Sequence, residues 1–250
     1  MGERSRILIF IPLPVKSELN TLSFVETTNI LNIYFTDHEI YLGLLGEEDI
    51  QTITIENNPY PYEYDFTAID LLSPNCPNFK RLQDASKTFL QKRNISKKIQ
   101  SLYFLILFPT STNEAERNFL RELCSNITKP QELYLMDDIR TTFSTSMEDL
   151  RIVISEYKNY IHIMAIHEEK AAYKDIYLDK LNDDKILETV QDTVGSLQEQ
   201  FPENKDIIYS PYKEVLFDDY TIITKQEVFS KICKKENNWL YLYKNNLFPK

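Results

Sequence analysis

Glycine is scarce in this chain. Of 250 residues only four are glycine, Gly2, Gly43, Gly46 and Gly195, where average usage of roughly 7% would supply about 17. No G-x-G-x-x-G fingerprint and no G-x-x-x-x-G-K-[ST] loop fits. A phosphate cradle of bare backbone N–H groups needs residues without a Cβ at the point of close approach. Only the pair Gly43 and Gly46 offers such positions. Cysteine is equally sparse. Cys76, Cys124 and Cys233 lie far apart, their number is odd and no C-x-x-C occurs, which reads as a reducing compartment with buried or idle thiols. The three histidines are His38, His162 and His167. The last two sit an odd number of residues apart on a predicted strand, face opposite ways and so share no metal. His167-Glu168-Glu169 is not H-E-x-x-H, and no G-x-S-x-G elbow is present. No apolar run approaches the roughly 18 residues of a membrane span. Positive charge is in the minority. Lys and Arg number 28 against 38 Asp and Glu, a net charge of −10 with a pI near 4.9. Such a surface repels phosphate backbones and favours proteins with basic surfaces as partners. Lys97-Lys98 and Lys234-Lys235 are too short for a nucleic-acid stripe.

What is present describes a folded chain. Hydrophobic residues make up 42% and charged residues 26%, with 14 Phe and 16 Tyr, against disorder and for one large or two small domains with a sizeable core. Arg4 and Arg6 precede the apolar stretch 7–15, but Pro12 and Pro14 interrupt it and no small-x-small cleavage site follows. The start therefore reads as a short strand or extension and not as a signal peptide. Arg6 stands where a myristoylation signal needs Ser or Thr. The sequons at Asn94 and Asn126 are idle in a cytosolic protein.

Strands are expected at 30–35, 40–45 and 52–55, an antiparallel meander. The segment 57–77, rich in Asn, Pro and Tyr, reads as loop, and 82–93 as a helix. The continuous apolar run 102–108 suits a strand buried on both faces. A helix to about Asn126, a strand at 133–136, a short helix at 137–144 and a strand pair at 151–155 and 160–166 follow. Then come a helix at 183–200, a strand at 206–210 and a last helix at 225–235. This is a mixed α/β order, without a visible internal repeat. Paired acids such as Glu47-Glu48, Asp137-Asp138, Asp183-Asp184 and Asp218-Asp219 are what 38 acidic residues produce on solvated faces.

One collinear set of motifs stands out. The stretch 31–49, LNIYFTDHEIYLGLLGEED, resembles the first phosphate-loop hairpin of actin and actin-related proteins, where a strand leads into D-N-G-S-G and a second ends in G-F-A-G-D-D. Gly43-Leu44-Leu45-Gly46-Glu47-Glu48 falls on that last segment. A second block, 102–168, is similar to the family's stretch from its central strand to its second phosphate hairpin. Pro109, Ala115 and Arg117 match P-L-N-P-x-x-x-R-E, and Pro130 and Tyr134 match V-P-A-M-Y. Ile152-Val153-Ile154 matches the strand into D-S-G-D-G, and His162 with Ile166-His167-Glu168 matches the return strand. Asp206–Pro211 resembles I-I-A-P-P. The resemblance covers about half of the chain and implies an α/β, degenerate actin-like (ribonuclease H-like) fold with reduced outer subdomains. It divides the chain into an extension or edge strand at 1–28, a first lobe carrying both eroded phosphate hairpins at 29–170, and a reduced second lobe at 171–250.

The departures from the family carry the functional expectation. The metal-side acid falls on Tyr34, the Gly and Ser positions on Thr36, Asp37 and His38, and the phosphate-binding Lys on Tyr41. D-S-G-D-G becomes Ser155-Glu156-Tyr157-Lys158-Asn159, and the water-positioning Gln falls near Asp138. Phosphoryl transfer depends on positioned charge and metal, so neither ATP hydrolysis, nor a metal, nor a cofactor is expected. Weak nucleotide binding stays open. Chains so shortened are most similar to the fungal pointed-end actin-related subunits of dynactin. The resemblance implies a cytoplasmic, cytoskeletal subunit whose partners are the actin-related filament subunit and other dynactin subunits. An actin-related subunit of a nuclear chromatin-remodelling complex, a divergent ATPase, and an α/β domain with a coincidental likeness are the alternatives. Tyr60, Tyr62, Tyr64, Trp239 and Tyr241 are candidate interface anchors. Their alternative is packing on their own domain.

Overall fold

A computed structural model describes residues 6–9, 29–36, 39–54, 77–95, 102–109, 112, 114–127, 130–138, 151–157, 160–167, 170–178, 181–202, 206–212, 217 and 219–244. The chain divides into two compact units. One comprises residues 23–145 and 228–250, the other 1–22 and 146–227. This differs from the sequence division. The second hairpin belongs to the other unit, and the C-terminal segment returns to the unit that residue 23 began.

The first unit holds β2 (Asn29–Phe35), β3 (Glu39–Leu44), β4 (Gln51–Thr54), α1 (Pro77–Lys92), β5 (Leu102–Phe108), α2 (Glu114–Ile127) and β6 (Glu132–Asp137). Its sheet runs in the order β4-β3-β2-β5-β6. β2, β3 and β4 form the expected antiparallel meander, while β5 pairs parallel to β2 and β6 parallel to β5. Parallel strands in mid-sheet are covered on both faces, which is why β5 reads as an unbroken apolar run, LYFLILF. Leu31, Ile33, Phe35, Phe104 and Ile106 form a core with Leu82 and Phe89 of α1 and Leu120, Leu123 and Cys124 of α2. Asn32 and Tyr34, at the alternate positions, face the other way. There they meet the C-terminal segment, Tyr34 at Phe229 of α4 (Lys225–Ile232) and Asn32 at Cys233 and at Asn238, the residue before α5 (Trp239–Lys244).

The second unit contains β1 (Arg6–Ile9), β7 (Arg151–Glu156), β8 (Tyr160–His167), β9 (Lys170–Tyr177), α3 (Asp183–Gln200), β10 (Asp206–Ser210) and β11 (Thr221–Ile222). The sheet order is β1-β9-β8-β7-β10-β11. β7, β8 and β9 are an antiparallel meander; β10 runs parallel to β7 and β11 parallel to β10. Ile152, Ile154, Ile161, Ile163 and Ile176 pack on Ile186, Val190, Val194 and Leu197 of α3. That helix starts where the sequence places it, because the Asn182 side chain accepts from the Lys185 N–H at 3.1 Å and Asp183 and Asp184 fill the first turn.

The two units repeat one plan. With β1 set aside, β9-β8-β7-β10-β11 corresponds strand for strand to β4-β3-β2-β5-β6, with a helix joining β9 to β10 and another joining β4 to β5. A duplicated meander extended by parallel strands beyond its first strand is the actin-like, ribonuclease H-like fold. The duplication escapes the sequence because only the hydrophobic pattern is repeated. β9 and β11 lie where the sequence reading had no strand, and α5 where it had no helix. The expected helix at 137–144 lies outside the described residues beyond Asp138.

Candidate functional site

The hairpins β2–β3 and β7–β8 occupy corresponding places in the two units, so each is built up from its own residues. In β2–β3 the Thr36 N–H donates to the Glu39 carbonyl at 2.9 Å, and the Glu39 N–H donates to Thr36 Oγ1 at 3.1 Å. In β7–β8 the Tyr157 N–H donates to the Tyr160 carbonyl at 2.9 Å. Both turns are closed by these bonds around a pair of intervening residues, 37–38 and 158–159. A phosphate nest needs several consecutive N–H groups free to converge on an anion. Here the N–H groups of Thr36, Glu39 and Tyr157, which flank the turns, already have partners. Asp37, His38 and Lys158 themselves lie outside the described residues.

Tyr34 and Tyr41, the positions matching the family's metal-side acid and phosphate-binding Lys, are cross-strand partners. Tyr34 is in register with Leu107 on β5, and Leu107 with Met136 on β6. Asp138, two residues farther on, therefore lies on the same side. The Tyr34 hydroxyl donates to Asp138 Oδ2 at 2.7 Å, with both side chains buried. The structure thus brings together the positions matched to the metal-side acid and the water-positioning Gln, and joins them by a hydrogen bond. Tyr41 is buried too, its hydroxyl donating to Glu39. Burial, and then the hydrogen bond to and charge of Glu39, hold its phenol far above the ordinary value. Both rings contact Phe229 of α4, at centroid distances of 6.1 and 5.8 Å. The position that the resemblance matches to a phosphate-binding Lys lies in an aromatic cluster.

Gly43 and Gly46 serve packing. A Cβ at Gly43 would stand 2.7 Å from Cys233 Sγ and 3.1 Å from Phe229 Cε1. Gly46 has φ +80°, and its N–H donates to the Cys233 carbonyl at 2.7 Å. Glycine here admits the C-terminal segment. Burial pushes the Cys233 thiol up to about 12, against the lowering effect of Asn32, and Cys124 is held higher still by burial. Both are free, buried and inert.

On β7–β8, Ser155 is buried and in register with His162, which is in register with Asp175. His162 Nδ1 lies 2.6 Å from Asp175 Oδ1. Glu156, next along, is buried; it accepts from the Tyr209 hydroxyl and from the Tyr212 N–H at 3.3 Å. Burial pushes its carboxyl up, and Tyr209 and Lys225 pull it back only in part. Among the described residues no group of three or more His, Cys, Asp or Glu side chains is placed to hold a metal ion.

With this geometry in view, comparisons with known proteins give structural similarities alone. No protein-family model matches the chain, and no curated protein matches it. Among solved structures it is similar to an exopolyphosphatase from Cytophaga hutchinsonii, with a TM-score of 0.45 and 8% identity over 74% of this chain and 67% of that one. It is also similar to MreB5 of Spiroplasma citri bound to ADP (TM-score 0.40, 9% identity) and bound to AMPPNP (TM-score 0.39, 10% identity), each over 61% of this chain and 53% of the other. Likenesses this distant carry no function across. The fold assignment stands on the duplicated strand order.

The candidate anchors divide. Tyr60, Tyr62 and Tyr64 lie outside the described residues. Trp239 stacks on Tyr243 at 4.9 Å and touches Tyr134 at 6.3 Å, so it packs within the first unit. Tyr241 lies half-buried on the same helix, near Lys235. Sequence reasoning missed Asn32, Asn238 and Phe229. Asn238 donates to Asn32 Oδ1 at 2.8 Å and to the Ile232 carbonyl at 2.9 Å, and accepts from the Tyr241 N–H at 3.0 Å. An Asn inside the run NILNIYF was a signal that this strand face meets a polar partner. Nothing local pointed to a partner some two hundred residues away. Among the described residues no helix is long and apolar enough to cross a membrane.

Proposed function

We propose that the chain is a non-catalytic, actin-like interaction subunit that caps the pointed end of the actin-related filament of dynactin. The Tyr34–Asp138 hydrogen bond carries the non-catalytic half. Two positions matched to metal and water handling are tied to each other within the core, and a buried tyrosine stands in place of the phosphate-binding Lys. An active site that works by placed charge and metal has no means of doing so from these groups. The cap reading draws support from the collinear motifs and the acidic surface. Calorimetry with Mg·ATP is expected to show no binding heat, and tight metal-dependent binding would overturn the first half. In sedimentation with preassembled actin-related filaments, the chain is expected to bind at a level set by the number of filament ends. Absence of binding would remove the cap reading, and co-purification with histones would reassign the chain to a chromatin-remodelling complex.

A further inference from the structure

On β9, Asp175 and Tyr177 alternate with Ile176, whose side chain enters the core beneath α3. They therefore share the opposite face of the sheet. Both lie beyond Lys170–Tyr173, the stretch of β9 that pairs with β1. Tyr177 is 66% exposed, the most exposed large hydrophobic residue among those described. It is the outer end of a series of rings. Tyr177 meets its cross-strand partner Tyr160 at 6.4 Å, and Tyr160 stacks on Tyr157 at 4.6 Å. The inner end of the series already holds a cation, with Lys225 Nζ 4.4 Å from the Tyr157 centroid. Beside the exposed ring stands a carboxylate of fixed orientation: Asp175 Oδ1 is engaged by buried His162, while the side chain stays 34% exposed. An aromatic face next to an oriented carboxylate is the receptor for a guanidinium, which stacks on the ring and donates to the acid at once. A chain of net charge −10 draws such a group in.

We propose that Tyr177 and Asp175 receive an arginine side chain from the neighbouring actin-like subunit of the filament. This rests on the interaction-subunit reading and names the surface that serves it. The test measures binding of the full chain to preassembled actin-related filaments. It compares wild type with Tyr177→Ala, Asp175→Asn and Tyr177→Phe, and with Leu187→Ala as a control at an exposed apolar residue of α3. Tyr177→Ala and Asp175→Asn are each expected to weaken binding roughly tenfold. Tyr177→Phe keeps the ring and should stay within about threefold of wild type, as should Leu187→Ala. Added salt should weaken wild type more than Asp175→Asn. Tyr177 is exposed, so its replacement leaves the fold intact and the result readable. Wild-type binding with Tyr177→Ala unaffected would overturn this surface and leave the capping role standing. Equal weakening by Leu187→Ala would show general stickiness and also overturn it. Self-association of the chain that Tyr177→Ala abolishes would assign the surface to a second copy instead. Failure of wild type to bind removes the capping role and this partner together.

Discussion

Gly43 offers the sharpest test of the packing account. Gly43→Ala places a methyl group 2.7 Å from Cys233 Sγ and 3.1 Å from Phe229 Cε1. The first distance is inside van der Waals contact, and neither neighbour gives way easily. Asn32 Nδ2 reaches the Cys233 sulfur at 3.7 Å, and the Phe229 ring lies against both Tyr34 and Tyr41. Overpacking of this kind costs about 1–3 kcal/mol. Reduced freedom of the unfolded chain returns about 0.4–1 kcal/mol for a Gly→Ala change, leaving a net loss centred on about 1 kcal/mol. Cys233→Ala alone removes one sulfur from a tight site and should cost about 1 kcal/mol. Combined, the two changes relieve the nearer clash, so the double variant should be more stable than the sum of the singles by about 1 kcal/mol. Urea unfolding followed by the fluorescence of Trp239, the one tryptophan, reads the unit concerned. Additivity within about 0.5 kcal/mol, or a fully stable Gly43→Ala protein, would refute the close approach of the C-terminal segment to β3.

Three further outcomes follow from other contacts. Tyr34→Phe leaves the buried Asp138 carboxylate without one donor and should cost about 1–3 kcal/mol in denaturant unfolding; Asp138→Asn, which still accepts that bond, should cost less. Asn238→Ala removes two donated bonds and the cap of α5 at once, and should cost about 2–4 kcal/mol in the same assay. Glu156 carries a folded-state pKa raised by burial, so the folded state binds its proton more tightly than the unfolded state. Its contribution is greatest below the ordinary Glu value and is lost as pH rises from there through the raised value. Melting temperatures measured between roughly pH 4 and 7 should therefore fall less with pH in Glu156→Gln than in wild type. An identical pH profile would show that Glu156 ionises as freely folded as unfolded.

What sequence reveals here depends on how far away the determining contacts lie. The run 102–108 and the helix 183–200 are found at their full extent, because burial on both faces and a capped helical period are written locally. β9 escapes notice, since KAAYKDIY sets alanines and a lysine against tyrosines and an aspartate. It is a strand because β8 pairs with it along its whole length. α5, WLYLYK, is short and aromatic with weak intrinsic helix preference. Asn238 and the Trp239–Tyr243 stack hold it. The departures of Tyr34, Tyr41 and Ser155 from the actin-family pattern are legible residue by residue. The packing of Asp138 and Phe229 against Tyr34 is a tertiary event that no local pattern encodes.

The C-terminal return has a consequence for how this protein is made. Asn32 and Asn238 are 206 residues apart, and Asn32 and Cys233 are 201 apart. A chain emerging from the ribosome lays down β2 and β3 long before Phe229, Cys233 and Asn238, and one face of these strands waits for its partner in the meantime. Strands β7 to β11 of the other unit are all synthesised in between. Closing so long a loop is slow, and an uncovered sheet face is a hazard for aggregation while it waits. Loss of the segment that carries Cys233 and Asn238 would therefore strike at β2 and β3, which rest on it, as well as at the segment itself.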